Sequence, residues 1–350
     1  MASRSTPFPI ENIPFGVIST RENPTPRCAT ALHNDAVDLS ALEKDGFFDS
    51  ISGFDEGAIF SKCSEIFGLP GSPNWHVIPS VYNGRTSSLN VSTTLTRPHG
   101  VIKDEAGGLS FTPTKKLDFE LEMGVFISHP LKPGQILDIQ AVKDHIFGFV
   151  ILNDWSARDI QGFEMAPLGP FHSKGFSTTI SPWIITMDAL ESVQSPVMVH
   201  QDPAPLPHLA WKGNENEATF DIDLSARIIR GGNTYNVTST NLNELYWTPY
   251  QQATHLTSAG EGLSTGDIFG TGTISSARTD SNGEKTGLAC LVERSLPRTS
   301  LSALKENGIV FFEDGDELIM EGWCVNKTNG VRFGFGQCRG TVAPAVKLGH

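Results

Sequence analysis

The run Leu117-Asp118-Phe119-Glu120-Leu121-Glu122-Met123 alternates apolar and acidic residues, so a strand over it would set Asp118, Glu120 and Glu122 on one face. Three neighbouring carboxylates repel one another. Facing water, the repulsion costs little and the run is the polar edge of a half-buried sheet. Lining a cavity, it is expensive unless a cation neutralises it. Another acidic group follows His145-Ile-Phe-Gly-Phe-Val-Ile-Leu152, an almost wholly apolar stretch with the composition of a strand buried on both faces. That stretch runs straight into Asn153-Asp154-Trp155-Ser156-Ala157-Arg158-Asp159-Ile160-Gln161. A helical turn from about Ser156 would bring Asp154, Arg158 and Gln161 to roughly one face, at i, i+4 and i+7. The plainer alternative is a capped helix start with Asp154 paired to Arg158. A third cluster, Phe171-His172-Ser173-Lys174-Gly175, would point His172 and Lys174 the same way if extended. Hard cations such as Mg²⁺ or Ca²⁺ take carboxylate oxygens, and Glu120, Glu122 and Asp154 supply such a set. Lys174, Arg158 and Gln161 would then place positive charge and donors where an oxyanion develops.

The elements that must hold these groups are mostly strands. With 34 Gly and 22 Pro, long uninterrupted helices cannot dominate the chain. Apolar segments are short and β-branched, Phe220 to Ile229 alternates with the period of a half-buried strand, and Glu313-Asp-Gly-Asp316 reads as a turn between two strands. Helices are expected over residues 243–257 and about 57–67. The fold class is α+β, mostly β. A small N-terminal β module (residues 1–60) is expected to precede the main body (residues 61–350), with Gly68-Leu-Pro-Gly-Ser-Pro as a linker-like stretch near the boundary.

Composition narrows the function classes. The 350 residues carry 39 acidic and 26 basic side chains, a formal charge of −13, which argues against a nucleic-acid binder and disfavours an anionic membrane surface. An acidic protein that handles acidic small molecules must concentrate its few Arg and Lys in one pocket. The best apolar run, Ile146 to Leu152, is far too short to span a bilayer, and the first residues lack a hydrophobic core of the secretory kind. Five cysteines, odd in number and without C-x-x-C spacing, give neither a disulfide framework nor a zinc site; reduced thiols in a cytoplasmic protein are the expectation.

At the three chemical clusters the sequence resembles the fumarylacetoacetase (fumarylacetoacetate hydrolase) family. The residues that carry this are Asp118-Phe-Glu-Leu-Glu-Met, Asn153-Asp-Trp-Ser-Ala-Arg-Asp-Ile-Gln, Pro167-Leu-Gly-Pro-Phe and Lys174-Gly-Phe-Ser-Thr-Thr-Ile-Ser-Pro-Trp. Pro73-Asn-Trp, Tyr82-Asn-Gly-Arg-Thr-Ser-Ser, Gly272-Thr-Ile-Ser, Phe333-Gly-Phe-Gly-Gln-Cys and the opening Phe8-to-Arg21 stretch add to it. The resemblance implies an SH3-like N-terminal barrel, a β-sandwich-like catalytic roll and a homodimer. It implies a divalent cation, Mg²⁺ (or Mn²⁺ or Ca²⁺), on carboxylates matching Glu120, Glu122 and Asp154, with Thr178 beside it. Arg158, Gln161 and Lys174 match the family's substrate-oxygen binders, Gly175 lines the same site, and Tyr82 and Thr273 match residues that hold substrate carboxylates. The implied reaction is hydrolysis of a C–C bond between two carbonyls of a small acidic diketo or keto acid, through a metal-bound enolate.

The match fails in one place. The family carries an acidic ligand, a tyrosine and a catalytic histidine before its Pro-Asn-Trp motif; here the corresponding stretch, Asp49 to Ser61, is short and holds no histidine. The glutamate that partners that histidine matches Glu293 only across a gap, and a substrate-contacting tyrosine falls on Met165. Without a positioned base, attack by water slows by a typical factor of about 10²–10⁴. His172 is the first candidate to replace the base, His99 the second, an ordinary surface or hydrogen-bonded histidine being the bland alternative for each. The other readings are water-independent chemistry on a β-keto acid or polyketide (decarboxylation, tautomerisation or cyclisation) and a non-catalytic binding relative.

Overall fold

The computed structural model describes residues 15–18, 20, 27–32, 35–45, 73–104, 106–294 and 302–348. The chain forms two compact units, one up to Trp75 and one from His76 onward. In the first, Phe15–Ile18, Arg27–Leu32 and Asp35–Asp38 make a three-stranded antiparallel sheet. The helix Leu39–Lys44 follows, capped by Asp38, whose carboxylate accepts from Ala41 N at 3.1 Å. The helix expected over 57–67, the linker-like stretch at 68–73 and the 60/61 boundary lie largely or wholly outside the described residues.

The second unit is built on two sheets. One runs in the order Ile268–Gly270, Leu121–Ile127, Ile146–Asp154, Thr178–Ile180, Leu89–Val91, with Ile185–Thr186 also paired to Ile146–Asp154. The other runs Asn233–Asn241, Asp223–Arg230, Glu317–Val325, Arg332–Ala343, Thr93–Thr96. The strand-rich α+β expectation is met. From Gly148 to Asp154 every residue of the central strand is buried: the apolar run to Leu152 and, at its end, the polar Asn153 and Asp154. Phe149 and Ile151 share one core with Leu224, Ile228, Leu318, Met320 and Phe335 of the second sheet. Among the described residues no helix is long and apolar enough to cross a membrane.

The two sheets are joined within a single stretch of chain. Leu89–Val91 adds parallel to Thr178–Ile180, and Thr93–Thr96 adds parallel to Arg332–Ala343. Ser92 turns the corner between them at φ 30°, in the left-handed region that L side chains avoid at about 1–3 kcal/mol. Three bonds offset that strain: Ser92 N to Ile180 O (3.1 Å), Ser92 Oγ to Gln337 O (3.2 Å) and Arg339 N to Ser92 Oγ (3.2 Å).

Two expected elements are revised. The helix expected over 243–257 is confined to Pro249–Leu256, with a short 3₁₀ turn at Leu242–Glu244 before it. A capping box of Thr248 and Gln251, with Pro249 in the first turn, fixes that start. Only one of the strands expected to flank Glu313–Asp316 forms, Glu317–Val325; upstream, Phe312 N is held by Leu117 O at 2.9 Å instead of by a ladder.

Trp155 anchors the end of the central strand. It is fully buried, donates from Nε1 to Thr179 Oγ1 at 3.0 Å and packs edge-on against Phe312. Its ring also fills the space over Gly340, where an added Cβ would stand 2.5 Å from Trp155 Cζ2. Gly340→Ala must therefore push the indole, and with it the residue before it, Asp154. We expect a loss of about 1–3 kcal/mol in a urea titration; an unchanged midpoint would show that the ring has room to move.

Candidate metal and oxyanion site

Each functional side chain leaves a defined element. Glu120 precedes, and Glu122 lies within, the strand Leu121–Ile127. Asp154 ends the antiparallel neighbour Ile146–Asp154, and Arg158 and Gln161 lie on the short helix Arg158–Glu164. Lys174 lies on the four-residue helix His172–Gly175, and Thr178 stands opposite Asp154 in the strand register. Glu120, Glu122 and Asp154 each bring a carboxylate oxygen within 4.8 Å of the others.

The expected unbroken strand over 117–123 is not what forms. Leu117–Asp118 pairs with Ser156–Ala157, whereas the ladder with the central strand begins at Leu121. The break comes from Asp118, which is fully buried and accepts from Leu291 N (2.7 Å), Val292 N (2.9 Å) and its own neighbour Phe119 N (2.8 Å). The polar-edge alternative is therefore excluded for Asp118, and equally for the buried Glu122.

Two cations oppose the carboxylates. Lys174 Nζ lies 2.5 Å from Glu120 Oε2 and 2.9 Å from Asp154 Oδ2. Arg158 bridges Asp118 (Nε to Oδ2, 2.8 Å) and Glu120 (Nη1 to Oε1, 2.8 Å), and its Nη1 also donates to Gln161 Oε1 at 3.1 Å. The expected Asp154–Arg158 pair is thus replaced by Asp154–Lys174. Asp154 is on a strand and the helix starts only at Arg158, so the one-face helical arrangement does not arise. Arg158 Nη2 is buried without a partner, a donor held out of water. Tyr82 reaches in from the loop before Thr86 and donates its hydroxyl to Asp154 Oδ2. Gly272 N donates to Glu122 Oε2 at 2.9 Å. Gly270 leaves room for that carboxylate, since a Cβ there would meet Glu122 Oε2 at 2.4 Å.

Glu164, which sequence reasoning passed over, sets the position of Lys174. Its carboxylate accepts from Phe171 N (2.7 Å), His172 N (3.2 Å) and Ser173 N (2.7 Å), so the helix that carries Arg158 and Gln161 at its start holds the Lys174 turn at its end. That turn is helical, which overturns the shared direction expected of His172 and Lys174: Lys174 is buried and His172 exposed. His99 is half-buried and stacks on Phe111. Met165 caps the helix, with its N bonded to Gln161 O, and Thr273 is half-buried next to Gly272. Gly175 is half-buried beside Lys174, and the stretch 49–61 lies outside the described residues.

The electrostatics divide the three carboxyls. For Glu120, burial favours the neutral acid, but Lys174 and Arg158 outweigh it and hold the group at about 2. Burial pushes Glu122 well up, helped by the charges of Asp154 and Glu120 and only partly relieved by Lys174 and the Gly272 amide. Asp154 is also raised, by burial first and then by Glu120, against the pull of Lys174. Burial and the Asp154 carboxylate keep the Tyr82 phenol protonated, a donor and not a base. Four carboxylates against two cations leave two formal negative charges uncompensated in a dry site. That is the deficit a divalent cation removes, and oxygen donors are the ligands hard cations take. The residues therefore fit such an ion.

Several comparisons bear on this site. A family model described as "Fumarylacetoacetate (FAA) hydrolase C-terminal" matches residues 63–343, and one described as "Fumarylacetoacetase N-terminal" matches residues 11–67. Fumarylacetoacetase of Arabidopsis thaliana is 34% identical over 418 residues, covering 97% of this chain and 96% of its own. That of Bos taurus is 35% identical over 422 residues, covering 97% of each chain. Both alignments are longer than the chain itself, so stretches of these relatives have no counterpart here. The Dictyostelium discoideum enzyme is 45% identical over 281 residues, 79% of this chain and 64% of its own. Among solved structures, a yeast protein described as a fumarylacetoacetate hydrolase family protein is 15% identical. It covers 76% of this chain and 88% of its own with a TM-score of 0.47.

The raised carboxyls give a pH prediction. Glu122 and Asp154 bind protons more tightly folded than unfolded, so the stability they contribute is complete below the unfolded carboxylate range. It is lost as pH rises through their raised values. Glu120 acts oppositely, its contribution disappearing as pH falls toward about 2. A divalent cation competes with the protons on Glu122 and Asp154. The rise in melting temperature produced by Mg²⁺ should therefore be larger at about pH 8 than at about pH 5.5. An equal rise at both would mean that these carboxyls do not titrate with the ion.

Proposed function

The chain belongs to the fumarylacetoacetate hydrolase family, a superfamily of carbon–carbon bond hydrolases, and from that premise we propose that it cleaves a C–C bond beside a carbonyl in a small acidic diketo or keto acid. The observation that carries the reading is the buried set of Glu120, Glu122 and Asp154, with Lys174 and Arg158 packed against it. Glu120, Glu122 and Asp154 would hold a divalent cation, Mg²⁺ in the first place, with Thr178 beside them. The ion supplies Lewis-acid polarisation of a carbonyl.

The chain's own residues do the rest. Lys174 presents an ammonium between two of the carboxylates, where its positive charge would stabilise a developing oxyanion. Arg158 contributes its unpartnered Nη2, and Gln161 orients the guanidinium through its Oε1. Tyr82 and Thr273 orient the acidic substrate, with Gly175 and Met165 lining the same space. Glu164 keeps the Lys174 turn in register. The same reading gives the first unit the family's SH3-like barrel, the second its β-sandwich roll, and the assembled protein two copies in the cytoplasm. The exposed His172, turned from the direction of Lys174, and the absence of histidine from residues 49–61 favour a second reading, a water-independent decarboxylase, tautomerase or cyclase of a β-keto acid.

Two experiments test these assignments. Turnover in H₂¹⁸O should put label into a newly formed carboxylate; product without label would replace hydrolysis by the water-independent reading. Calorimetric titration with Mg²⁺ should show binding that Glu122→Gln weakens by an order of magnitude or more, as loss of a charged ligand requires. Equal affinity in the two proteins would remove Glu122 from the ligand set.

A further inference from the structure

Apart from the Arg158 Nη2 donor assigned to the oxyanion, positive charge near the site is already committed. Lys174 is held by Glu120 and Asp154, and Arg158 by Asp118 and Glu120. Neither can turn to a substrate carboxylate without leaving a buried acid unpaired, which is the costly outcome in a dry site. With a divalent cation the cluster is formally neutral, so it offers an additional anionic group no net attraction. A protein of formal charge −13 that takes an acidic substrate needs a further cation at this place.

Arg85 stands there. It lies three residues after Tyr82, whose hydroxyl bond to Asp154 ties the loop to the site. Its aliphatic stem runs over Gly175, the residue after Lys174: a Cβ on Gly175 would lie 3.8 Å from Arg85 Cδ and 3.9 Å from Arg85 Cβ. Arg85 is exposed, and among the described residues its side chain meets a hydroxyl, Ser87 Oγ at 3.0 Å from Nε, and no carboxylate. The carbonyl of Arg85 also accepts from Ser88 N (3.4 Å) and Ser88 Oγ (3.0 Å), so its backbone is tied into the turn Thr86–Ser88. The guanidinium thus sits on an anchored loop, and among the described residues its two terminal nitrogens have no hydrogen-bond partner.

We propose that Arg85 is a specificity-determining residue of this site, pairing with a carboxylate that the substrate carries apart from the carbonyl at which the bond breaks. The inference rests on the diketo-acid reading and adds to it a residue that reads the substrate's carboxylate. A guanidinium suits the task because its planar fork meets a carboxylate with two parallel N–H donors.

The test compares 4,6-dioxoheptanoate, a β-diketone with a carboxylate on a two-carbon tether, with its methyl ester, by calorimetry on the Mg²⁺-loaded protein. Arg85→Ala should weaken binding of the acid about tenfold or more and leave the ester unchanged, with Arg85→Lys in between. Weakening of both compounds alike, or of neither, would overturn the assignment. Wild type that binds neither compound would instead remove the diketo-acid reading, and the inference with it.

Discussion

Burying acids of like charge is the constraint on which the rest of the second unit turns. Glu122 and Asp154 are buried within a few ångströms of Glu120, where their charges are screened far less than at the surface. Two cations make the arrangement possible. Arg158 is itself buried against Asp118 and Glu120, and Lys174 against Glu120 and Asp154, so each charge is the condition for burying the next. Removing Arg158 or Lys174 leaves Asp118 or Asp154 without its cation, a larger penalty than the pair's own contribution. The raised Glu122 and Asp154 carboxyls and the depressed Glu120 carboxyl record how unevenly the compensation is distributed.

The backbone meets that demand from distant places in the chain. Antiparallel pairing aligns Glu122 with Leu152, two residues from Asp154, and the third strand adds the Gly270 and Gly272 backbone around the Glu122 carboxylate. Trp155 pins the far end of the central strand through Thr179 and Gly340. Glu164 ties the cationic turn back to the helix of the other cation. Sheet register sets the anions and one small helix sets the cations.

How far this could be read from the residues depended on whether the cause was local. The central strand declared itself by an unbroken apolar run, Glu120 and Glu122 by alternation, and Asp154 by its place at the end of that run. Resemblance to a family then identified the cations with them. The break at Phe119 was not legible, because Asp118 is captured by amides of Leu291 and Val292, 173 and 174 residues later. The orientation of His172 failed for a similar reason: the turn's conformation is imposed by Glu164, whose three amide contacts no periodicity reveals. Helix 249–256 was a different case. Its start was written in Thr248, Pro249 and Gln251, and an apolar pattern beginning earlier masked it.

The corner at Ser92 carries a consequence for the order in which the protein is made. One short stretch contributes an edge strand to both sheets, and its second half waits for residues near the other end of the chain: Ser92 bonds to Gln337, 245 residues away. During synthesis the first sheet can therefore gain its edge well before the second. Until the last strand leaves the ribosome, Thr93–Thr96 presents unpaired backbone to whatever it meets. Closing so large a loop is slow, and that edge stays open for most of the time the chain spends in translation.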